Sequence, residues 1–369
     1  MEINDSLVNV GVSKYKNMNG VTCYMNSILS ILQQLPIFCD YILNYQFRNV
    51  LLDKIDNDSE KLKDSVIYNL YNLLSKSHQN DNKNITPVTF RKVLKKKDYI
   101  WGEHQQQDSQ EFFNFLLTTI ESEIEREIEF IPGKQLKQND KKLFDNVEEI
   151  LALRSWQKSI SKEFSSIKML ILGQFQKITE CSICKNKSVN FETFESLSLS
   201  IPLKNKGSDL IKEFDILDCF DYYFKKEKLD KKNKMECNFC YLKNQSNMYT
   251  KLWKTPKILV IHIKRFLVND YGIPIQKISN KINYPINNLD ISKYINPNSP
   301  DKDKCKYNLI GVNNHLGGIS CSYGHYISIV KNRYNNNWYK FDDDNLQKVN
   351  YEEDVINKDA YLLFYYRTN

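Results

Sequence analysis

Cys23 sits in Gly20-Val21-Thr22-Cys23-Tyr24-Met25-Asn26-Ser27, His325 lies far downstream in Gly324-His325-Tyr326, and Asp342 follows in Trp338-Tyr339-Lys340-Phe341-Asp342-Asp343. A thiol, an imidazole and a carboxylate are the parts of nucleophilic acyl transfer: the thiol attacks, the imidazole takes its proton, and the acid orients the imidazole. An apolar run with helical spacing (Met25, Ile28, Leu29, Leu32, Leu35) follows Cys23. The thiol therefore falls at a helix N-terminus, where unpaired backbone N–H groups favour a thiolate and can hold an oxyanion. A buried structural cysteine, a surface histidine and a solvated acidic turn at Asp342-Asp343-Asp344 are the bland alternatives. A hairpin pairing Tyr326–Val330 with Trp338–Phe341 would set His325 beside Asp342, since only Lys331 to Asn337 intervenes. His315, before Leu316-Gly317-Gly318, competes as the base. His262, between Ile261 and Ile263, reads as a satisfied core histidine, and His78 and His104 carry no signal of their own.

Nine cysteines are present, and four form Cys181-Ser182-Ile183-Cys184 and Cys237-Asn238-Phe239-Cys240. Two such pairs make a tetrahedral Cys₄ site for structural zinc, with no position left open for catalysis. The alternatives are four unmetalled thiols or redox pairs.

These groups need elements to position them. Helices are expected over Tyr24 to Tyr41, ended or kinked by Pro36, over residues 60–75, from Thr86-Pro87, over Gln110 to Ile128, and around Leu151 to Phe164. The charged stretch Glu121 to Asn146, holding Ile131-Pro132-Gly133, reads as a surface excursion. From Ile167 the pattern turns to strands: Phe191–Phe194, Leu197–Ile201, Ile258–Ile263, Tyr326–Val330 and Tyr361–Tyr365, with one helix near Ile216–Phe224. A helical lobe followed by a mostly antiparallel sheet is an α+β arrangement, with the cleft between the lobes.

The 369 residues are 41% hydrophobic, with 23 Tyr and 19 Phe, enough for a large packed core and against dominant disorder. The formal charge is +7, but lysines alternate with acids, as in Lys225-Lys226-Glu227-Lys228-Leu229-Asp230, so no nucleic-acid partner is expected. With no apolar spanning run, secretory signal or lipidation signal, the expectation is an intracellular protein of cytoplasm or nucleus, monomeric and off the membrane.

The order and spacing resemble the catalytic domain of the ubiquitin-specific protease family. The resemblance is carried by the Cys23 segment, Gln106-Gln107-Asp108-Ser109-Gln110-Glu111-Phe112, the paired CxxC knuckles, Ile261-His262-Ile263-Lys264-Arg265-Phe266, Asn314-His315-Leu316-Gly317-Gly318, Gly324-His325-Tyr326 and the Trp338–Asp343 run. It implies one papain-like catalytic domain: a helical thumb (11–165), an antiparallel-sheet palm (166–174 and 256–369) and zinc-knuckle fingers (175–255). It implies hydrolysis after the C-terminal glycine of ubiquitin, mainly at isopeptide bonds to lysine, with ubiquitin and ubiquitinated proteins as partners. Cys23 becomes the nucleophile, His325 the base, Asp342 its orienter and Asp343 a supporting acid. His315 becomes a cleft residue, beside Gln107, Gly324 and Tyr326 in binding the substrate.

The arginines before ubiquitin's terminal glycines make Asp108 and Glu111 attractive partners, Asp108 above all; the alternative for Asp108 is a helix cap. One departure stands out. The family carries an oxyanion Asn five residues before the Cys, where this chain has Met18, which is no useful donor. Asn17 or Asn19 would have to serve. A catalytically weak or inactive ubiquitin-binding module, or a protease for a related modifier, are the competing readings.

Overall fold

Ile258-Leu259-Val260-Ile261 and Tyr361-Leu362-Leu363-Phe364-Tyr365 are apolar at nearly every position because the sheet they build is covered on both faces. In the computed structural model, which describes residues 10–79, 84–130, 147–203, 213–318 and 323–368, the two segments pair antiparallel, with Val260 opposite Phe364 and Ile261 opposite Leu363. Successive side chains point to opposite faces. Val260, Leu362 and Phe364 enter the core beneath the helical lobe; Leu259, Ile261, Leu363 and Tyr365 enter a second core on the far side, with Phe220 of the Ile216–Phe224 helix.

The main sheet runs in the order Asn345–Val349, Trp338–Asp342, His325–Lys331, Lys306–Leu316, Ala360–Arg367, Ile258–Lys264, Leu197–Ser200. All of these neighbours are antiparallel except the last pair, which is parallel. The expected hairpin is present, with Ser328 opposite Phe341 and Val330 opposite Tyr339. The strand Lys306–Leu316, the sheet's longest, is not evident in the sequence, because Gly311 and Asn313-Asn314 interrupt its apolar pattern. Gly311 has a packing reason: a Cβ there would lie 3.2 Å from two carbons of Ile31, so a larger residue would make that side chain of the Cys23 helix give way by a few tenths of an ångström.

That helix, Cys23–Leu32, is buried at all ten positions. It lies between the sheet and a shell of helices that includes Val66–Ser77 and Ser109–Ile124. The run from Tyr24 to Tyr41 is two helices, the second Phe38–Leu43, divided at Pro36-Ile37, where Ile37 takes φ 61°. The expected 60–75 helix is also two, Ser59–Lys63 and Val66–Ser77, because Asp58 and Ser65 each cap a new start. The helix from Ser109 stops at Ile124, short of Ile128, as Arg126 leaves to exchange backbone bonds with Phe164 at 3.0 and 3.1 Å. Glu121–Ile124 is therefore helix rather than surface excursion, and residues 131–146 of that expected excursion lie outside the described residues.

A second sheet, Lys187–Phe194, Gly173–Glu180, Asn247–Lys254 and Glu227–Lys228, carries the Cys181–Cys184 turn between its first two strands, and the Cys237–Cys240 turn joins a separate ribbon, Met235–Glu236 with Lys243–Asn244. Among the described residues no helix is long and apolar enough to cross a membrane.

Candidate active site

Cys23 opens its helix after Thr22, whose carbonyl accepts from Met25 N–H (3.1 Å) and Asn26 N–H (3.0 Å). The N–H groups at the very start of such a helix have no partner within it. His325 begins its strand beside the helix, and Asp342 ends the neighbouring strand. His325 Nε2 and Asp342 Oδ1 are 2.6 Å apart. The Cys23 side chain is the largest influence on the imidazole. With Asp342 and the Asp343 charge adding to it against burial, it lifts His325 from 6.5 to about 9. The ring therefore holds its proton at neutral pH when it faces a thiolate.

Asp343 is the better buried of the two acids, its side chain 11% exposed against 34% for Asp342. Its Oδ2 lies 3.9 Å from His325 Nε2 and accepts from Asn17 Nδ2 at 2.8 Å; its Oδ1 accepts from Asn26 Nδ2 at 2.8 Å. Burial raises its pKa, and the two amides pull the other way. Asn17 Oδ1 in turn accepts from Thr22 N–H at 2.8 Å. Asn17 thus joins the network behind Cys23, while Asn19, in the left-handed region at φ 56°, bonds His104 Nδ1 at 2.8 Å on the exposed side. Asn26 and Thr22 were not singled out by sequence reasoning. Their place one turn after and one residue before Cys23 was the available signal.

The substrate candidates divide. Asp108 is 4% exposed and caps the Ser109–Ile124 helix through Gln110 N–H (2.6 Å) and Glu111 N–H (3.1 Å), with Tyr361 Oη on its other oxygen at 2.7 Å. The capping role is present in the geometry, where it could coexist with the expected arginine contact. Glu111 is exposed on the next turn, its pKa raised by partial burial and by the Asp108 charge. Gln107 is half-buried.

His315 is corrected from a cleft residue to a core one: it is fully buried, its ring 4.9 Å from that of Tyr326 and 5.2 Å from that of Phe266, and burial lowers it to about 4. Tyr326 is buried with it at 3% exposure. Gly324 covers the pair, since a Cβ there would lie 2.6 Å from His315 Nε2. Gln106, missed as a site residue, accepts from Gly324 N–H at 3.1 Å and ties the turn before the Ser109–Ile124 helix to the approach of His325. His262 behaves as a satisfied core residue, paired with Ser198 Oγ at 3.1 Å.

Cys181, Cys184, Cys237 and Cys240 come together with all four sulfurs within 4.8 Å of one another. The two turns repeat one design: Ile183 N–H reaches Cys181 Sγ and Phe239 N–H reaches Cys237 Sγ, each at 3.4 Å, and Lys185 and Tyr241 take φ 61° and 57° just after the second cysteine. Burial works against a Cys181 thiolate, but backbone N–H groups of Cys184 and Ile183 and the neighbouring thiols outweigh it and bring it to about 6. Four sulfurs supplied with N–H donors suit a thiophilic cation.

The sequence matches the family model described as ubiquitin carboxyl-terminal hydrolase over residues 14–365. The chain belongs to that family. It is 28% identical over 355 residues to the cattle (Bos taurus) protein named ubiquitin carboxyl-terminal hydrolase 2, covering 96% of this chain and 55% of that one. It is 30% identical over 437 residues to a probable ubiquitin carboxyl-terminal hydrolase of Acanthamoeba polyphaga mimivirus, R319, covering 97% of this chain and 91% of that protein. This hydrolase-family chain thus spans about half the length of the cattle relative. A solved structure described as the SAGA Ubp8/Sgf11/Sus1/Sgf73 DUB module bound to ubiquitin aldehyde shares the fold, with a TM-score of 0.72 at 24% identity over 98% of this chain and 71% of the other.

Proposed function

We propose that the chain is a thiol protease that hydrolyses the bond after the C-terminal glycine of ubiquitin, with isopeptide bonds to lysine as its main substrates. The single observation carrying this is the hydrogen-bonded His325–Asp342 pair set beside Cys23 at the start of a buried helix. In this reading the Cys23 thiolate attacks the glycine carbonyl and first-turn N–H groups receive the oxyanion. His325 then gives its proton to the departing lysine amine. It next takes a proton from the water that cleaves the thioester, and Cys23 leaves as thiolate. Asp342 orients the ring, while Asp343, held by Asn17 and Asn26, adds negative charge beside it. Only residues without Cβ pass a narrow channel easily, which suits a Gly-Gly tail.

The three divisions follow the chemistry. Residues 11–165 are proposed as thumb, 166–174 and 256–369 as palm, and 175–255 as fingers. A concavity of about 610 Å³ between fingers and palm, lined by Tyr222, Tyr249, Met248, Ser198 and Lys264 among others, supports docking of the ubiquitin body there. Zinc is the proposed ion for the four cysteines, where it would tie the two turns together and take no part in the reaction.

Hydrolysis of a ubiquitin C-terminal amide reporter tests the reading. Turnover by the wild type and none by Cys23→Ala is expected; turnover unchanged in Cys23→Ala would refute it. A weaker catalyst is favoured by one observation: the side-chain amides of Asn17 and Asn19 are both engaged elsewhere, on Asp343 and His104. Loss of one such donor costs about 2.7–4 kcal/mol of transition-state stabilisation, so turnover a hundredfold or more below a family member with a free amide, at similar ubiquitin affinity, would mark that case.

A further inference from the structure

The Cys23 helix and the His325–Asp342 hairpin run alongside each other, and they are fastened together at the end remote from the thiol. Gln34, two residues beyond the helix and 1% exposed, donates from Nε2 to Gly11 O at 2.5 Å and accepts at Oε1 from Arg333 N–H at 3.0 Å. Arg333 lies in the turn joining the His325 strand to the Asp342 strand. Its guanidinium reaches Asp40 at 2.6 Å, and the adjacent Asn332 donates to Val10 O at 2.9 Å. Gly11 takes φ +69°, and a Cβ there would lie 2.4 Å from Gln34 Nε2, so the segment is fitted around this one amide.

We propose that Gln34 is a positioning residue for the Cys23–His325 pair: it locks the turn of the hairpin to the end of the nucleophile's helix and so fixes the register in which thiol and imidazole meet. The inference rests on the protease reading above, because it needs those two groups to work as a pair. The lever is long. A ten-residue helix spans about 15 Å, so a tilt of roughly 4° about its far end moves Cys23 by about 1 Å. Misplacement on that scale is enough to cost about a hundredfold in rate. The catalytic end has its own ties through Asp343, but these act on the helix start. Without the distal lock, the helix and hairpin can slide against each other where the Cys23 helix packs on the His325 strand.

The test is the pH profile of Cys23 alkylation by iodoacetamide, which needs no ubiquitin, measured with kcat and KM on the amide reporter. His325→Ala first checks the pairing itself: slower alkylation at pH 6 than in the wild type supports it, and an unchanged profile would end both the protease reading and this proposal. Given pairing, Gln34→Met keeps the side chain's length without its hydrogen bonds. We expect alkylation at pH 6 to fall about tenfold and kcat to fall in step, with KM within about twofold. Asp40→Ala, which frees Arg333 at a partly exposed site and leaves the core intact, should move both readouts the same way by a smaller factor. It carries the test if Gln34→Met does not fold. Ser65→Ala, which removes a helix cap away from the seam, should lower the melting temperature with no change in profile. If Gln34→Met and Asp40→Ala give profiles superimposable on wild type, the cluster is merely structural and the proposal is overturned.

Discussion

At the residue scale, the two acids next to His325 differ in a way that mutation can read. Asp342 touches the imidazole at 2.6 Å but is a third exposed; Asp343 stands 3.9 Å off, buried and held by two amides. Asp342→Ala should lower kcat by about a hundredfold or less, since orientation is lost while the Asp343 charge remains. Asp343→Ala should also lower the melting temperature, because the Asn17 and Asn26 amides would be left buried without their acceptor. Steady-state kinetics beside thermal melts check both. The His325 pKa of about 9 supplies a pH prediction. Its folded value is raised above 6.5, so its stabilising contribution is complete below pH 6.5 and declines as pH rises through about 9. Turnover should show its basic limb near that pH, and His325→Ala should abolish the limb. A limb at pH 6–7 would mean that the thiol and ring do not share a proton.

At the element scale, the seam between the Ser109–Ile124 helix and the short Lys168–Ile171 helix holds Glu121, 6% exposed and pushed up to about 8 by burial, with Glu195 adding to the shift and Lys168 at 4.0 Å opposing it. It is a carboxylic acid at neutral pH in the fold and a carboxylate in the unfolded chain. Its raised folded value makes stability fall as pH rises from 4.5 to 8. Glu121→Gln should therefore stabilise by on the order of 2–3 kcal/mol at pH 7 and much less at pH 4.5, read by denaturant melts at the two values. The elements were largely legible where one period dominated. The Cys23 helix, the Ile216–Phe224 helix and the Ile258 and Tyr361 strands all lie where their apolar spacing puts them. What escaped was decided by single polar residues or by distant packing. Ser65 restarts a helix in the middle of a helical pattern, and the Lys306–Leu316 strand carries glycine and asparagine because its neighbours supply the cover.

At the scale of the whole molecule, the grouping of Cys23, His325 and Asp342 was legible because each belongs to a motif with its own local texture. The partners of Asp343 were not, since a carboxylate's amide donors come from Asn17 and Asn26, more than three hundred positions away. Asp108 was ambiguous for a related reason: its sequence suits both a cap and an arginine partner, and the structure adds the cap and Tyr361 as partners. The fold also stores two neutral histidines, His262 and His315, each lowered to about 4, chiefly by burial. Depressed folded values mean that their contribution is complete above pH 6.5 and is lost as pH falls toward 4. For His315, fully enclosed, this is on the order of 3 kcal/mol. Acid unfolding should therefore begin near pH 6, and His315→Gln should shift its midpoint to lower pH. The knuckles at the far end of the fingers test separately: a chelator strong enough to strip a Cys₄ site should lower the melting temperature and expose four reactive thiols while Cys23 remains competent.

The central claim is that Cys23, through His325, attacks the end of a ubiquitin tail. It is tested most directly by incubating the protein with ubiquitin carrying a C-terminal electrophile and mapping the adduct by mass spectrometry. One ubiquitin per chain, on Cys23, formed slowly by His325→Ala and not at all by Cys23→Ala, is the predicted result. A protein that stays unmodified, or is modified equally at another cysteine, would contradict it.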